Sequence, residues 1–171
     1  SLKVFMGDVG KAYMGMDMDK DYYYYMLQNR EDVVHTDFYE ESKRYFEGRY
    51  DGIEWSTHPS IDHESRKNEM GELTAPLGIE QAQMNAMERA YKISRNEFFI
   101  TVAALAISLY NRAQNVQLSW IYNGREDIQM MNSVGLLFRD LPVGIRFHDS
   151  DTLRNVFADV HEQVQKGIEH S

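Results

Sequence analysis

One stretch constrains the fold of this chain more than any other. Residues 98–112, Phe-Phe-Ile-Thr-Val-Ala-Ala-Leu-Ala-Ile-Ser-Leu-Tyr-Asn-Arg, are apolar at almost every position before Asn111. Just upstream, Ser94 and Glu97 stand at capping-box spacing: the serine hydroxyl accepts from the N–H three residues on, and the glutamate accepts from the cap's own N–H. The spacing predicts a helix that opens after Ser94 and stops within 111–115. A helix that is apolar nearly all round has no side to offer water, so 98–112 is expected to be the most buried element. Thr101 and Ser108 interrupt it, and it falls short of the roughly 20 apolar residues that cross a bilayer. With 171 residues, 43% of them hydrophobic, the chain can build one ordinary core around such a helix.

Other segments supply partners for it. Residues 79–93 repeat Ile79, Ala82, Ala86, Ala90 and Ile93 at helical spacing, and 1–14 place Leu2, Phe5, Met6, Val9, Ala12 and Tyr13 on one face with Gly15 as the stop. That first helix is expected to pack poorly within this chain, with Leu2, Phe5 and Val9 left partly exposed. Further helices are predicted over 19–30, which includes Tyr22, Tyr23, Tyr24 and Tyr25, and from Asp37 to Gly52, where Asp37 and Glu40 have capping-box spacing. Residues 53–71 lose all periodicity and lead into a short expected strand at 73–77. Residues 116–122 alternate and are rich in β-branched and aromatic side chains, so they read as a strand, with Asn123-Gly124 turning after it. A second strand is expected within 138–147, with Pro142 marking an edge or a bulge. The end is a helix capped near Ser150 or Asp151, its apolar stripe being Leu153, Val156, Phe157, Val160, Val164 and Ile168. The fold class is therefore α/β and helix-rich, with a few strands.

Charge and composition exclude several functions. Eighteen basic against 27 acidic residues give a formal net charge of -9, which is unfavourable for phosphate backbones or anionic lipid. No nucleic-acid or membrane partner is expected. Cysteine is absent, which removes disulfides, thiolate ligands and a cysteine nucleophile, and fits a reducing cytoplasm. The chain opens Ser-Leu-Lys without an initiator methionine or signal-peptide pattern, as expected of a cytoplasmic piece of something longer.

Motif search finds no active site. His58 and Asp62 have a spacing used by histidine bases, and His58, Asp62, His63 and Glu64 are metal-ligand types, but they lie in the polar segment where no regular element is predicted to hold them. They read as a solvated loop, and no metal site is assigned. His35, His148, His161 and His170 read as surface histidines. Met14, Met16, Met18, Met130 and Met131 read as adaptable core or interface packing.

Tyr122-Asn123-Gly124-Arg125, followed by Ser133-Val134-Gly135-Leu136-Leu137-Phe138-Arg139-Asp140-Leu141-Pro142-Val143, resembles the condensation domains of nonribosomal peptide synthetases. In that family a Gly-Arg pair closes one strand, and about ten residues on a segment of the form Ile/Val-Gly-x-Phe-Val-Asn-Thr-Leu-Pro opens the next. The flanking elements are similar too: a buried helix before the Gly-Arg strand and an amphipathic helix after the Pro segment. Residues 17–25 resemble the family's aspartate-tyrosine segment, and 1–13 resemble the helix that follows its His-His-x-x-x-Asp-Gly motif.

The resemblance implies a chloramphenicol-acetyltransferase-like lobe, helix-rich with a small mixed sheet. Residues 1–171 would be one partial condensation domain, with helices following the catalytic motif over 1–52 and a C-terminal lobe, incomplete at its end, over 53–171. It implies an acyltransferase in nonribosomal peptide synthesis that forms amide bonds between carrier-bound aminoacyl or peptidyl thioesters. The alternatives are an epimerization or other acyltransferase member of the superfamily, or a non-catalytic domain that docks carriers. Peptidyl carrier proteins and neighbouring synthetase modules are the implied partners. The phosphopantetheine arm stays on the carrier, so no cofactor is bound. The catalytic histidine of the family would lie upstream of Ser1, leaving no catalytic residue here and a chain that is inactive alone. Arg125, Arg139 and Asp140 are the cleft or tunnel candidates, and Gly124, Gly135 and Pro142 the structural ones. Two departures stand out: Arg139-Asp140 replaces the family's Asn-Thr, and Gly144 replaces an arginine that recurs here at Arg146. A guanidinium at 139 is expected at a cleft rim and not sealed in an apolar core.

Overall fold

Capping chemistry sets most of the element boundaries. The computed structural model describes residues 2–17, 26–28, 32–61, 71–125 and 128–171. Its elements are α1 (Leu2–Tyr13), α2 (Asp37–Tyr50), α3 (Gln81–Tyr91), α4 (Arg95–Asn111), β1 (Asn115–Tyr122), α5 (Ile128–Met131), β2 (Arg139–Arg146) and α6 (Leu153–Glu169). The helix expected over 19–30 lies mostly outside the described residues, of which 26–28 are helical. No helix among the described residues is long and apolar enough to cross a membrane.

The capping box at α4 forms as expected: Glu97 N–H donates to Ser94 Oγ at 3.3 Å, and Ser94 N–H donates to Glu97 Oε2 at 2.5 Å. At α2 the expectation slips by one residue. Thr36 is the cap, in extended conformation at φ -102, and accepts from Tyr39 N–H, while Asp37 is already helical. At α6 Thr152 Oγ1 accepts from Asn155 N–H at 3.3 Å. The expected cap Asp151 instead accepts from His148 N–H at 2.8 Å, shaping the turn before the helix. The α3 helix starts after Glu80, whose N–H is taken by the Gln83 side chain, so Ile79 stays outside it. Gly15 ends α1 at φ 67, with Met16 N–H reaching back to Lys11 O at 3.0 Å. Lys92 and Arg112 end α3 and α4 in the same left-handed conformation, where an L side chain costs about 1 kcal/mol relative to glycine.

The chain divides into two compact units, one made of residues 1–51, 121–141 and 168–171, the other of 52–120 and 142–167. In the second unit the core draws on Val156, Phe157, Val160 and Val164 of α6, Val143 and Ile145 of β2, Val116 of β1, and Ile100 and Ala104 of α4. Phe157 carries the aromatic part, its ring centroid 5.0 Å from Tyr91 and 6.2 Å from Phe98.

Among the described residues the sheet is two-stranded and antiparallel. Phe147 N–H donates to Gln114 O at 2.8 Å, which places Gly144 opposite Gln117, both with their main-chain groups turned outward. On the β1 rim, Ser56 forms a parallel bridge, accepting from Gln117 N–H at 3.0 Å and donating to Asn115 O at 2.9 Å. On the β2 rim, the buried Gln163 side chain accepts from Gly144 N–H at 3.0 Å and donates to Gly144 O at 2.8 Å. The mixed character expected of the sheet is carried by that single bridge.

Two expectations fail, one about burial and one about a strand. The α4 helix buries only Glu97, Ile100, Thr101 and Ala104, a single i, i+3, i+4, i+7 stripe, while Leu109 on another side is 71% exposed. Among the described residues the most buried helix is α6, with six buried residues. Residues 73–77 form no strand, and Leu73 is 94% exposed; Pro76 removes one ladder donor, and no strand among the described residues pairs with the segment.

In the first unit α1 buries none of its residues, leaving Leu2, Phe5 and Val9 exposed as expected. The α2 helix buries Ser42. His170 contributes to the same unit, its Nδ1 3.3 Å from Ser42 Oγ and its ring stacked 4.5 Å from Tyr45, so this histidine is not the bare surface group expected. Met14, Met16 and Met131 are exposed, so of the core and interface roles expected of them the core one does not apply.

Candidate functional site

The Gly124-Arg125 pair sits where β1 gives way to the loop that returns to β2. Gly124 is buried with φ +64, and a Cβ there would lie 2.1 Å from Leu137 O and 3.9 Å from Arg139 Cγ. Only glycine meets both demands, the left-handed backbone and the close approach of a main-chain carbonyl. Arg125 is partly buried. Its Nη1 donates to Met130 O and, at 2.9 Å, to Ser133 O, and its Nη2 donates to Gly135 O at 3.1 Å. Ser133 Oγ in turn donates to Gln129 O at 2.7 Å. One guanidinium thus satisfies carbonyls at the end of α5 and along the loop, which a planar fork of five donors suits.

Arg139 opens β2 half-buried, with Nη1 donating to Ser171 Oγ at 2.8 Å. Ser171 Oγ donates to Ile168 O at 2.8 Å. The geometry therefore gathers Gly124, Arg125, Gly135 and Arg139 around one loop. Asp140 points the other way along the pleat and is exposed, while Pro142 is half-buried within β2.

Two arrangements escaped the sequence reading. His161 has a 47% exposed side chain, yet its Nδ1 lies 2.9 Å from Oε1 of Glu97, whose own side chain is 2% exposed. The capping glutamate of α4 thereby also reaches the last helix, a pairing of positions 64 residues apart that local spacing does not reveal. The second is the polar segment around His58. Asn111 Oδ1 accepts from Ser60 N–H at 2.8 Å and Ser60 Oγ–H at 2.7 Å, while its Nδ2 donates to Ser56 Oγ and His58 O at 2.6 and 2.7 Å. The segment is thus tied to the end of α4 and to β1, contrary to the expectation of a loop without support. These residues line an open polar cleft together with Glu54, Trp55 and Arg112. The His58 ring is exposed, with Thr57 Oγ1 3.0 Å from its Nδ1. Asp62, His63 and Glu64 lie outside the described residues, and no group of three His, Asp or Glu that could hold a metal occurs among those described.

Comparison with known proteins adds the family. The model of the condensation domain matches residues 1–171. No curated protein is similar enough to the chain to count as a match. Among solved structures, the SgcC5 protein from Streptomyces globisporus superposes with a TM-score of 0.71 at 12% identity, over 99% of this chain and 41% of that one. The first condensation domain of the calcium-dependent antibiotic synthetase, in complex with a substrate analogue, gives 0.67 at 16% identity, over 94% and 36%. The condensation domain from the monacolin K polyketide synthase MokA gives 0.64 at 13% identity, over 94% and 40%. At such identities these likenesses establish the fold, and the chain spans well under half the length of each of the three. With the family model matched from the first residue to the last, the chain belongs to the condensation-domain family.

Proposed function

We propose that this chain is part of a condensation domain that joins aminoacyl or peptidyl groups held as thioesters on carrier proteins, by amide formation. The observation that carries the reading is the family match over residues 1–171. The Gly124-Arg125 turn and the segment beginning at Ser133 support it by folding into one clasped loop. In such a reaction the acceptor amine attacks the donor thioester carbonyl, the C–N bond forms, the C–S bond breaks, and the amine proton passes to a base while the carrier thiol leaves. A histidine base and donors for the developing oxyanion are needed. None of the six histidines of this chain stands in a His-His-x-x-x-Asp-Gly motif, and on this reading the base belongs to a part of the domain outside these 171 residues. Within the chain, Arg139 is the group assigned to the substrate side, where its guanidinium suits a thioester or amide carbonyl or the phosphate of a phosphopantetheine arm. Carrier proteins and neighbouring synthetase modules are the partners.

The test is product formation. The 171-residue chain mixed with donor-loaded and acceptor-loaded carriers is expected to give no peptide by mass spectrometry. A longer protein that includes the histidine motif is expected to give it, and to lose it when the motif's second histidine becomes alanine. Turnover by the short chain, abolished by His58→Ala, would refute the assignment of the base to residues outside the chain and place it in the cleft at Asn111.

A further inference from the structure

The residues that open the β1–β2 loop also govern where β2 begins. We propose that Gly124 and Arg125 are positioning residues for Arg139, an inference that rests on the reading of Arg139 as the substrate-side group. Gly124 acts at the stem. The site its Cβ would fill lies 2.1 Å from Leu137 O, with Arg139 Cγ in ordinary contact at 3.9 Å, so any larger residue displaces the carbonyl two positions ahead of Arg139. Arg125 acts on the loop. Its bonds to the carbonyls of Met130, Ser133 and Gly135 hold three points along the approach to β2 with one rigid group, and the loop then delivers Leu137 into a buried position. Ser171 acts at the head, accepting from Arg139 Nη1 at 2.8 Å.

Arg125 itself spends these donors on main chain, which sets it apart from a substrate contact. A lysine in its place presents a single ammonium on a flexible stem and cannot reproduce three divergent bonds in a fixed plane. Arg125→Lys is therefore expected to keep the charge and lose the placement of Arg139.

The experiment is a double-mutant cycle in the protein that carries this chain, with Arg125→Lys, Arg139→Ala and the pair, read as kcat/KM on loaded carriers and as Tm. Arg139→Ala is expected to lower kcat/KM about tenfold and Arg125→Lys about threefold, with the pair no worse than Arg139→Ala alone to within about twofold. The Tm loss from Arg125→Lys should be the same in both backgrounds, because the loop carbonyls lose their donor either way. Losses in kcat/KM that multiply would overturn the proposal, as would full activity in Arg139→Ala. A second readout needs no turnover: the rate of phenylglyoxal modification at Arg139, followed by peptide mass mapping. It should rise about threefold or more in Arg125→Lys and Gly124→Ala, since a guanidinium freed from its restraints is more accessible. An unchanged rate in both variants would sink the positioning role even where the wild-type protein makes amide. A wild-type protein that makes none, with the modification rate still raised, would instead refute the amide-forming reading and leave the positioning of Arg139 standing.

Discussion

The helices α4 and α6 are each 17 residues long and face the same core, yet they use opposite designs. In α4 apolar side chains run round most of the circumference, and only the stripe Glu97, Ile100, Thr101 and Ala104 is buried. In α6 the apolar residues are confined to one stripe, and Val156, Phe157, Val160, Val164, Gln163 and Gly167 are all buried. Greater apolarity has not meant greater burial. A helix is covered only where another element reaches it, and the buried positions of α4, among them Glu97 beside His161 of α6, all lie on a single side. The stripe on α6 records which side is covered, because polar residues occupy the rest; the uniform apolarity of α4 records nothing about direction.

The sharpest way to break this comparison is to truncate one side chain on each helix. Phe157→Ala should cost about 3–5 kcal/mol in denaturant unfolding, the range for a buried ring removed from a close-packed core. Leu109→Ala should stay within ~0.5 kcal/mol, as at other exposed positions. If the two losses were similar in the protein that carries this chain, α4 would be covered there by something beyond these residues, and the contrast would disappear.

A smaller effect is expected from Gln163→Leu, which keeps the volume and removes the carboxamide. Gly144 is buried, and its N–H and C=O both bond to that group. Leaving the two unsatisfied should cost about 2 kcal/mol or more. A loss under ~0.5 kcal/mol would mean that water replaces the amide. Smallest of the three, Ser94→Ala should lower stability by about 1 kcal/mol through loss of the cap on α4. Because Ser94 N–H would still donate to Glu97 Oε2, the link from Glu97 to His161 should survive, and a loss well above 2 kcal/mol would show that the cap also holds that link.

What could be read from the sequence followed the range of the interaction. Ser94 and Glu97 announced α4 because a capping box is a contact over three residues, and β1 followed from alternation over 116–122. The loop signature around Gly124-Arg125 pointed to the family, which the family model matches over the full chain. By contrast, nothing near Glu97 announces His161, and nothing near Asn111 announces His58 or Ser60, since these contacts span 51 to 64 residues. Thr36 and Asp37 both satisfy local cap rules, and backbone geometry alone selects Thr36. The pattern at 73–77 suits a strand, but a strand requires a partner edge, which local sequence cannot supply.

A sheet of two strands is all rim, and an unpaired rim invites a strand from another chain. Here both rims are plugged: Ser56 occupies the main chain of Asn115 and Gln117 at the start of β1, and the Gln163 carboxamide occupies Gly144 in β2. A carboxamide carries the same donor and acceptor as a peptide unit, so Gln163 serves as a strand one residue long, tethered to a helix. An incoming chain could not zip along β2 past Gly144 without first drawing a buried side chain out of the core. The block to strand addition along β2 is therefore lodged in α6, outside the sheet it protects.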